Sequence, residues 1–499
     1  NHYLANHTKW HDFYDDLELV VIDESHTYTG VHGMHVSWVI RRLQRIIDHY
    51  RADPQTVCTT ATIGNPREHS EALTGQEFTV IDSDGSPNGR RDIAFWLPRL
   101  DGDGHAPNAV GANADVPEIR KRAGVEAASV TAHLGLNDVQ TLTFVKSRQG
   151  TEIAAKQARD AARDHPRHDR LSVKPYHAGL SKKKRQAVEN NLKSGQLDGV
   201  FTTNALELGI DIGGVDATVL TGYPGTRQSF WQQVGRAGRG TSDALSVFVP
   251  QEDAIDQYIL DDPAYLLGDN IEDAVVDVSN NPVYARHVLC AANELALTEA
   301  DTEWFGPRDR LERAVSVWND AGKLIGDLER GAQYAGPPRP QSTVSMYATT
   351  DIQYDVRRVD GDIDMEPVQK ERAYRDFHPG ALVLYDGDQY EVTDLVEDRR
   401  QPYVEVERVH TNEYTTTAHQ KAVHDIEEAK SRDLGDGYSI HAGMGTVDIH
   451  YTQYQRHSIS DGSVAGPYPI DLPPVSLRTQ LMWVELPDDM ERRVITALD

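Results

Sequence analysis

The sequence has few cysteines, and it has no long hydrophobic run. Its 499 residues include only Cys58 and Cys290, which excludes a disulfide framework and favours two free thiols in a reducing cytoplasm. No segment approaches the ~20 consecutive apolar residues that cross a membrane. The first stretch, NHYLANHTKW, lacks the basic and then apolar regions of a secretory signal. No Cys or His residues have zinc-ligand spacing. We therefore expect a cytoplasmic protein.

Positive charge is also scarce. Lys and Arg total 50 against 78 Asp and Glu, which gives a formal net charge of −28. The 21 Tyr and 7 Trp residues argue against a disordered acidic chain, because disordered segments are poor in aromatics. We interpret the acid excess as a solvated surface suited to a salt-rich cytoplasm, as in halophiles. The alternative is an acidic face for a basic partner.

The first half of the chain alternates predicted strands and helices. A helix is predicted near 34–50, and the Gly-, Asp- and Pro-rich stretch 100–117 is predicted to be a linker or loop. This alternation predicts an α/β fold with a parallel sheet covered on both faces. The predicted strands are 17–22, 56–62, 78–81, 93–97, 142–145, 171–176, 199–203, 217–222 and 245–249.

Beyond residue 250 the pattern changes. Apolar residues share a helical face in 285–295 and again in 311–321, which predicts a small helical or winged-helix domain. After the Pro-rich stretch 336–343, period-2 patterns in 380–417 and 446–457 predict small β-domains. The predicted domain boundaries are 1–98, 99–250, 251–345, 346–435 and 436–499.

Six stretches that suit phosphate chemistry follow one another in the chain. The stretches are VVIDESH (20–26), TAT (60–62), TLTFVKSR (141–148), YHAGL (176–180), TTNALELGIDIGGVDATVLTGYP (202–224) and QQVGRAGRG (232–240). Asp23 and Glu24 follow a predicted strand, where an Asp can hold the waters of Mg²⁺ and a Glu can polarise a water that attacks a γ-phosphate. Taken alone, an Asp-Glu pair is more often a strand end with a solvated turn.

Two other pairs of side chains fit the same chemistry. Thr60 and Thr62 are predicted to end the second strand, where their hydroxyls could bond His26, although Thr is also a common strand residue. Arg236 and Arg239 are predicted one turn apart on one helix face, where two guanidiniums suit the charge on a transferring phosphoryl group. The alternative for this pair is an exposed basic turn.

In order and spacing, these stretches resemble helicase motifs II, III, IV, IVa, V and VI of superfamily 2, over residues 17–250. DESHTYTGVHGMHV, NALELGIDIGGVDATVLTGYPGT, WQQVGRAGRG and HPGALVLYDGDQYEV (378–392) are similar to the mitomycin repair factor A-like helicases, which carry a C-terminal metal-binding cysteine cluster. The resemblance implies tandem RecA-like motor domains, the first one partial, followed by helical or winged-helix and small β-domains. It also implies an ATP-dependent DNA helicase, 3′→5′ in polarity and active in DNA repair.

The resemblance assigns roles to individual residues. ATP and Mg²⁺ are the implied substrate and cofactor, with Asp23 serving Mg²⁺ and Glu24 the catalytic water. His26, Thr60 and Thr62 would couple hydrolysis to DNA. The nucleotide would contact Gly209, Asp211, Gln232, Arg236 and Arg239, and the single-stranded or duplex DNA backbone would face Ser147, Arg148, His177, Thr202, Thr203 and Asn204. An RNA helicase and a non-hydrolysing nucleic-acid scaffold remain alternative functions.

The phosphate-binding loop G-x-x-x-x-G-K-[ST] of such helicases does not occur in the sequence. Gly322-Lys323 is the one Gly-Lys pair, and Leu324 follows it. No cysteine cluster stands near Asp499 either. We therefore expect a chain truncated at both ends and unable to hydrolyse ATP alone, because the loop holds the β- and γ-phosphates.

SKKKR (181–185) is a basic cluster directly after YHAGL. Lys182, Lys183 and Lys184 are predicted to form a patch that tracks a nucleic-acid strand. A solvated helix face is the alternative. With a net charge of −28, the chain offers little general attraction to phosphates, so binding should depend on such local groups.

The net charge of −28 predicts that the fold depends on salt. Repulsion between acidic groups opposes the compact state, and salt screens this repulsion. The thermal unfolding midpoint should therefore rise as KCl increases from low to molar concentration, which circular dichroism can follow. A midpoint that stays constant over this range would remove the halophile interpretation.

Overall fold

The computed structural model describes residues 3–83, 85, 89–98, 121–208, 213–238, 242–268, 271–344, 352–361, 363, 365–397, 402–435, 437–459 and 463–485. The chain divides into two compact units. Unit 1 comprises Asn1–Ala127 and Asn204–Ala348, and unit 2 comprises Ala128–Thr203 and Thr349–Asp499. The linker predicted at 100–117 lies outside the described residues.

The α-helices of the described residues are α1 (His11–Asp15), α2 (Gly30–His49), α3 (Pro66–Thr74), α4 (Ala123–Leu136), α5 (Arg148–Ala162), α6 (Lys182–Lys193), α7 (Arg227–Val234), α8 (Ala254–Asp261), α9 (Ala264–Leu267), α10 (Asn281–Glu294), α11 (Thr302–Phe305), α12 (Arg308–Asp320) and α13 (Lys370–Asp376).

The β-strands of the described residues are β1 (Leu19–Ile22), β2 (Gln55–Cys58), β3 (Arg91–Phe95), β4 (Thr141–Phe144), β5 (Val173–Tyr176), β6 (Gly199–Thr202), β7 (Ala217–Thr221), β8 (Ala244–Val249), β9 (Leu324–Ile325), β10 (Gln333–Tyr334), β11 (Gln353–Arg358), β12 (Val368–Gln369), β13 (Leu382–Tyr385), β14 (Asp388–Val396), β15 (Tyr403–Val409), β16 (Glu413–Gly435), β17 (Tyr438–Ser458), β18 (Val464–Pro469) and β19 (Val475–Glu485).

Unit 1 contains two parallel groups of strands. β1 pairs with β2 from Leu19↔Gln55 to Ile22↔Cys58, and β8 lies between β3 and β7. The long helix α2 packs on the first pair, where Ile22, Ile40 and Leu73 form a buried cluster. Parallel pairing places the carboxyl ends of β1 and β2 at one edge, so the residues after Ile22 and Cys58 are neighbours.

The helical region after β8 packs against α2 within unit 1. Trp38 of α2 joins a buried cluster with Tyr284 of α10 and Phe305 of α11. Arg42 donates to the Glu294 carboxylate with Nε at 3.1 Å, and the side chains of both residues are fully buried. The helices predicted in 285–295 and 311–321 are confirmed as α10 and α12, and Gly322 ends α12 with a positive φ of 64°.

Unit 2 has a parallel group in the order β5-β6-β4. All four residues of β4 and of β6 are buried, as expected for strands covered on both faces. Helix α5 packs over them with a row of small residues, Ala154, Ala155, Ala158 and Ala162. The α/β parallel-sheet class predicted from the sequence is thereby confirmed.

The rest of unit 2 is built from β-sheets. One sheet has the order β12-β11-β15-β14-β13, with α13 beside it, and its buried cluster includes Tyr354, Tyr374 and Phe377. In a second sheet β17 pairs with β16 on one side and with β18 and β19 on the other. The β16–β17 register shifts at four places, including Ala418/His419 and His424/Glu427. The boundary predicted between 435 and 436 directly follows the last residue of β16 and lies between two strands that pair with each other.

Two local predictions from the sequence are wrong. Residues 78–81 do not form a strand; among the described residues no strand pairs with them, and an extended segment without a pairing partner has no ladder. The strand predicted over 56–62 ends at Cys58, so Thr60 and Thr62 follow β2 in the loop. Within the described residues no helix is long and apolar enough to cross a membrane.

The buried Arg42–Glu294 pair generates a stability prediction. Arg42→Met leaves the Glu294 carboxylate buried without its partner, which should destabilise unit 1 by about 3–5 kcal/mol. Hydrogen exchange of the α10 amides in increasing urea measures the change. The double variant Arg42→Met, Glu294→Leu should recover most of the loss, because an apolar pair of similar volume replaces the ions. A double variant no more stable than the single one would contradict this account.

Candidate active site

A cleft of about 420 Å³ lies at the carboxyl edge of β1 and β2 in unit 1. Four segments contribute to its walls: the residues after β1, the residues after β2, the residues after the 3₁₀ helix Asn204–Leu206, and the end of α7 with the turn that follows it. The lining residues are Asp23, Glu24, Thr59, Thr60, Ala61, Glu207, Leu208, Gln232, Gly235 and Arg236. Four of the predicted stretches therefore contribute to one place.

The turn after β1 presents two adjacent carboxylates. Asp23 Oδ1 accepts hydrogen bonds from the Thr59 hydroxyl and from the Glu24 N–H, the latter at 3.0 Å. Glu24 has a left-handed backbone with a φ of 51°. The next residue returns to the neighbouring strand, since Ser25 N–H donates to the Thr59 carbonyl at 2.9 Å. The turn is thus tied to the end of β2, and Asp23 is exposed in the cleft.

The electrostatic environment of Asp23 and Glu24 suits proton transfer and cation binding. Burial raises the pKa of Glu24, the negative charge of Asp23 raises it further, and Arg236 acts in the opposite direction. A carboxylate with a raised pKa is a better proton acceptor than an ordinary one. Within the described residues both hydrogen bonds to the Asp23 carboxylate use Oδ1, and Asp23 is an exposed residue of the cleft lining. An exposed carboxylate fits the hydrated Mg²⁺ ion.

His26 connects three segments. Its buried ring accepts at Nδ1 from the Ala61 N–H at 3.1 Å, and the Thr60 hydroxyl lies 3.3 Å from the same nitrogen. The Gln232 side-chain amide lies 2.6 Å from Nε2. Burial lowers the pKa of His26, and so does His69. In the neutral ring Nδ1 is the acceptor, so the proton is on Nε2 and the amide must turn its oxygen towards it.

Thr60 and Thr62 differ in their contact with His26. Thr60 approaches His26, but its hydroxyl also donates to the Ala61 carbonyl at 2.8 Å. Thr62 is exposed, and in the part of the chain that the structure describes it makes no hydrogen bond to His26. The backbone of Ala61 carries the well-formed bond. A backbone donor leaves no trace in the sequence pattern, which explains why it was not predicted.

Arg236 is not on a helix, contrary to the prediction from its spacing to Arg239. Helix α7 ends at Val234, and Arg236 lies in the turn that follows. Its Nε and Nη2 donate to the Glu207 carbonyl at 3.1 and 2.6 Å. Gly235 directly follows α7 and Gly238 has a positive φ of 95°; glycine favours turns over helix, which is the physical reason for the early end. Arg239, Gly209 and Asp211 lie outside the described residues.

Glu207 is a functional candidate that the sequence reasoning missed. Its buried carboxylate accepts from the Ser229 hydroxyl at 2.7 Å and from the Gln233 amide at 2.8 Å, while its carbonyl holds Arg236. One residue therefore fixes both α7 and the guanidinium after it. The available signal was a lone acid between two leucines, Leu206 and Leu208, in an otherwise apolar stretch.

The residues predicted to contact nucleic acid differ in exposure. Ser147 caps α5 by accepting from the Gly150 N–H at 2.9 Å, and Arg148 beside it is exposed. Thr202 is buried at the end of β6, Thr203 is half-buried and Asn204 is exposed. Lys182 and Lys183 are exposed on α6, whereas Lys184 pairs with Asp386 at 3.0 Å.

His177 occupies the centre of a buried network in unit 2. Its Nε2 lies 3.2 Å from Glu152, and its Nδ1 accepts from the Gly179 N–H at 3.1 Å. Glu152, 1% exposed, also accepts from the backbone N–H groups of Asp386 and Gly387 at 2.7 and 3.0 Å. The ring therefore shapes the loop that follows β5. Within the described residues no group of three or more His, Cys, Asp or Glu side chains could hold a metal ion.

Comparisons with known proteins find similarity to helicases. Residues 127–241 match the model of the helicase conserved C-terminal domain, and residues 276–346 match the winged helix domain of ATP-dependent helicase HRQ1. The chain is 34% identical over 494 residues to the uncharacterized ATP-dependent helicase YprA of Bacillus subtilis, covering 97% of this chain and 62% of the relative. ATP-dependent helicase HRQ1 of Saccharomyces cerevisiae is 31% identical, with 81% and 37% covered.

Solved structures show the same likeness. The crystal structure of the DUF1998 helicase MrfA bound to DNA superimposes with a TM-score of 0.85 and 32% identity, covering 98% of this chain and 63% of that one. Its complex with DNA and AMPPNP gives a TM-score of 0.80 and 31% identity, covering 95% and 62%. The fold is thus that of superfamily 2 helicases. Within that class the chain is similar in sequence and fold to the MrfA and Hrq1 type, and it spans less than two thirds of the length of these relatives.

The neutral state of His26 predicts a pH dependence. Its pKa is lowered in the folded chain, so its contribution to stability is present above the ordinary value of about 6.5 and is lost as pH falls through that value towards the folded pKa. Protonation of Nδ1 would break the bond from Ala61 N–H. The protection factors of the α7 amides should therefore fall between pH 7.5 and pH 5.5, which hydrogen exchange corrected for intrinsic rates can measure.

The control for this prediction is the exposed His11. His26→Leu should abolish the pH dependence of α7 protection, because the titrating ring is gone, whereas His11→Leu should retain it. If α7 protection falls equally in the His26→Leu variant, another group causes the effect and the assignment to His26 is wrong.

Proposed function

We propose that this chain is part of an ATP-dependent DNA helicase, to which it contributes acidic and arginine groups for ATP hydrolysis and a surface that binds the strand, and that it does not hydrolyse ATP alone. The observation that carries the proposal is the single cleft in which Asp23, Glu24, Gln232 and Arg236 meet. Two carboxylates opposite a guanidinium suit a phosphoryl group that is attacked by water. The similar proteins include ATP-dependent helicases and a helicase whose crystal structure contains DNA, which supports the same activity.

In this proposal each side chain of the cleft has its own role in ATP hydrolysis. Glu24, with its raised pKa, orients the attacking water and takes its proton. Asp23 would hold Mg²⁺ through water, and the ion would neutralise charge on the phosphates. Arg236, fixed by the Glu207 carbonyl, faces the charge that develops on the γ-phosphate, and Arg239 would act beside it. Gly209, Asp211 and Gln232 would contact the nucleotide.

The same proposal assigns the transmission of hydrolysis to DNA. His26 would report changes at the phosphate to α7, because it touches both the loop after β2 and Gln232. Thr60 and Thr62 would assist it. The strand backbone would be held by Ser147, Arg148, Thr202, Thr203, Asn204, Lys182 and Lys183, with His177 and Lys184 positioning the loops. We also propose 3′→5′ movement, a role in DNA repair, and the domain boundaries given by the sequence.

Glu24→Gln tests the proposal in the full-length protein that carries this chain. Replacing the base should lower DNA-stimulated ATP turnover by ~10²-fold or more, because general base catalysis contributes about that factor, while ATP binding is retained. Phosphate release and nucleotide binding are measured in parallel. Glu18→Gln, an exposed acid just before β1, is the matched control and should keep full turnover. Turnover by Glu24→Gln within threefold of the unsubstituted protein would refute the assignment.

Strand displacement separates DNA from RNA as the substrate. The proposal expects ATP-dependent displacement of a DNA duplex with a single-stranded overhang and loss of that activity in Glu24→Gln. Both kinds of duplex are tested because motor motifs that contact the backbone discriminate the two sugars poorly. Displacement of RNA duplexes alone would favour the RNA helicase alternative.

A further inference from the structure

Three guanidinium groups come together in unit 2. Arg148 opens α5, and Arg372 and Arg375 lie three residues apart on α13 of the β-rich part of the same unit. Residues at this spacing share one helix face. Arg148 is exposed, and among the described residues its side chain makes no hydrogen bond or ion pair. Neither arginine of α13 belongs to the helicase-like stretches of the sequence.

Helix α13 is held in a defined position beside the loop that follows β5. An added Cβ at Gly179 would lie 3.6 Å from Arg372 Nη1, so the guanidinium reaches this loop. Leu180 bridges to Met365, and Ser181 N–H donates to the Tyr385 hydroxyl at 3.3 Å. The Arg372 guanidinium also lies over the Phe377 ring at 5.3 Å from its centroid. Packing on Phe377 and beside this loop therefore preorganises the guanidinium before any ligand arrives.

The charge of this cluster is opposite to that of the chain as a whole. The acids that face it are Asp376 and, for Arg375, Glu371. Arg375 donates to both Asp376 oxygens at 2.8 and 3.1 Å, and Arg372 Nε lies 3.5 Å from Asp376. Three guanidiniums thus share two carboxylates, in a chain whose net charge is −28. Positive charges that are held together despite their mutual repulsion indicate a site for an anion.

The pKa of Arg372 shows the strain of this arrangement. Burial and the neighbouring Arg148 lower the pKa of Arg372 to about 10, against the opposing effect of Asp376. Both guanidiniums are charged at neutral pH, because arginine stays protonated in proteins, and a bound phosphate would relieve the repulsion between them.

We propose that Arg372 and Arg375 of α13 extend the nucleic-acid site of Ser147 and Arg148 and bind the phosphodiester backbone of a single strand. This inference rests on the proposed function and adds a contact from the β-rich part of unit 2. Guanidinium forks bind phosphate oxygens in pairs and are weakly hydrated, which suits a chain with little general attraction for DNA. Asp376 occupies the two arginines until phosphate displaces it.

The test measures how salt affects binding of a fluorescent dT 20-mer to the 499-residue chain. Each lost phosphate contact should reduce the slope of log K against log salt by ~0.7 for a single strand. Arg375→Gln, at an exposed position, should show this reduction and weaker binding at fixed salt, and Arg372→Gln should do the same. Asp376→Asn should bind more tightly, because it removes the acid that competes with phosphate. Fluorescence anisotropy gives all four isotherms.

Arg163→Gln is the matched control. Arg163 is an exposed arginine of unit 2 paired with Asp160 at 2.6 Å, and its substitution should leave both slope and affinity unchanged. Since Arg372 packs on Phe377, circular dichroism melting of each variant separates lost contact from lost fold, and the exposed Arg375 keeps the test decisive. An rU 20-mer measured beside the dT 20-mer should show the same loss of slope, because both backbones carry the same phosphates.

Two outcomes overturn different statements. If the chain binds the dT 20-mer and Arg148→Gln weakens it, but Arg375→Gln and Asp376→Asn change nothing, the extension to α13 is wrong and the proposed function stands. If the unsubstituted chain binds neither oligonucleotide, the strand-binding part of the proposed function fails, and the inference fails with it.

Discussion

The contact of the neutral His26 ring with the backbone of Ala61 and the amide of Gln232 is the constraint on which the cleft depends. It joins the turn after β1, the loop after β2 and helix α7 through one side chain. Each of these segments contributes residues to the wall of the cleft, so a displacement of one affects the others. A neutral imidazole suits this task because it has one donor and one acceptor, pointing in different directions.

Unit 2 uses a carboxylate for a comparable purpose. Glu152 accepts from His177 and from the turn at Asp386 and Gly387, so the loop after β5 and a turn of the β-sheet are fixed to α5 together. A buried carboxylate with three donors is stable where an unpaired one would not be. The residues that a helicase-like pattern marks as strand contacts thus include some, such as His177, whose visible role is to shape the surface that makes the contact.

The sequence predicted the elements that hydrophobic periodicity and motif order determine. The parallel strands, helices α2, α10 and α12, and the meeting of Glu24 with Gln232 and Arg236 in one cleft all followed from these signals. The failures have a common cause. The segment 78–81 has strand-like residues, but strand formation needs a pairing partner, and Arg236 has helical spacing to Arg239, but glycines end the helix first.

Contacts made by the backbone could not be predicted at all. The bond from Ala61 N–H to His26 and the carbonyl of Glu207 that holds Arg236 depend on local conformation rather than on residue type. The cluster of Arg148, Arg372 and Arg375 could not be predicted either. Arg148 is far from the other two arginines in sequence, and only the packing of α13 brings them together. Motif reading finds residues whose type is required, and it overlooks those whose position alone matters.

The interrupted register of the β16–β17 hairpin has a consequence for how the protein behaves in concentrated solution. Among the described strands β16 pairs with β17 alone, so its other side is a sheet edge that could recruit a strand from another molecule. Shifts after Ala418, His424, Glu428 and Asp433 break the strand into short straight pieces. An incoming strand would lose its ladder at each break, and β16 also presents charged residues, such as Lys421 and Lys430, to it. The irregularities that weaken the hairpin therefore protect it against aggregation.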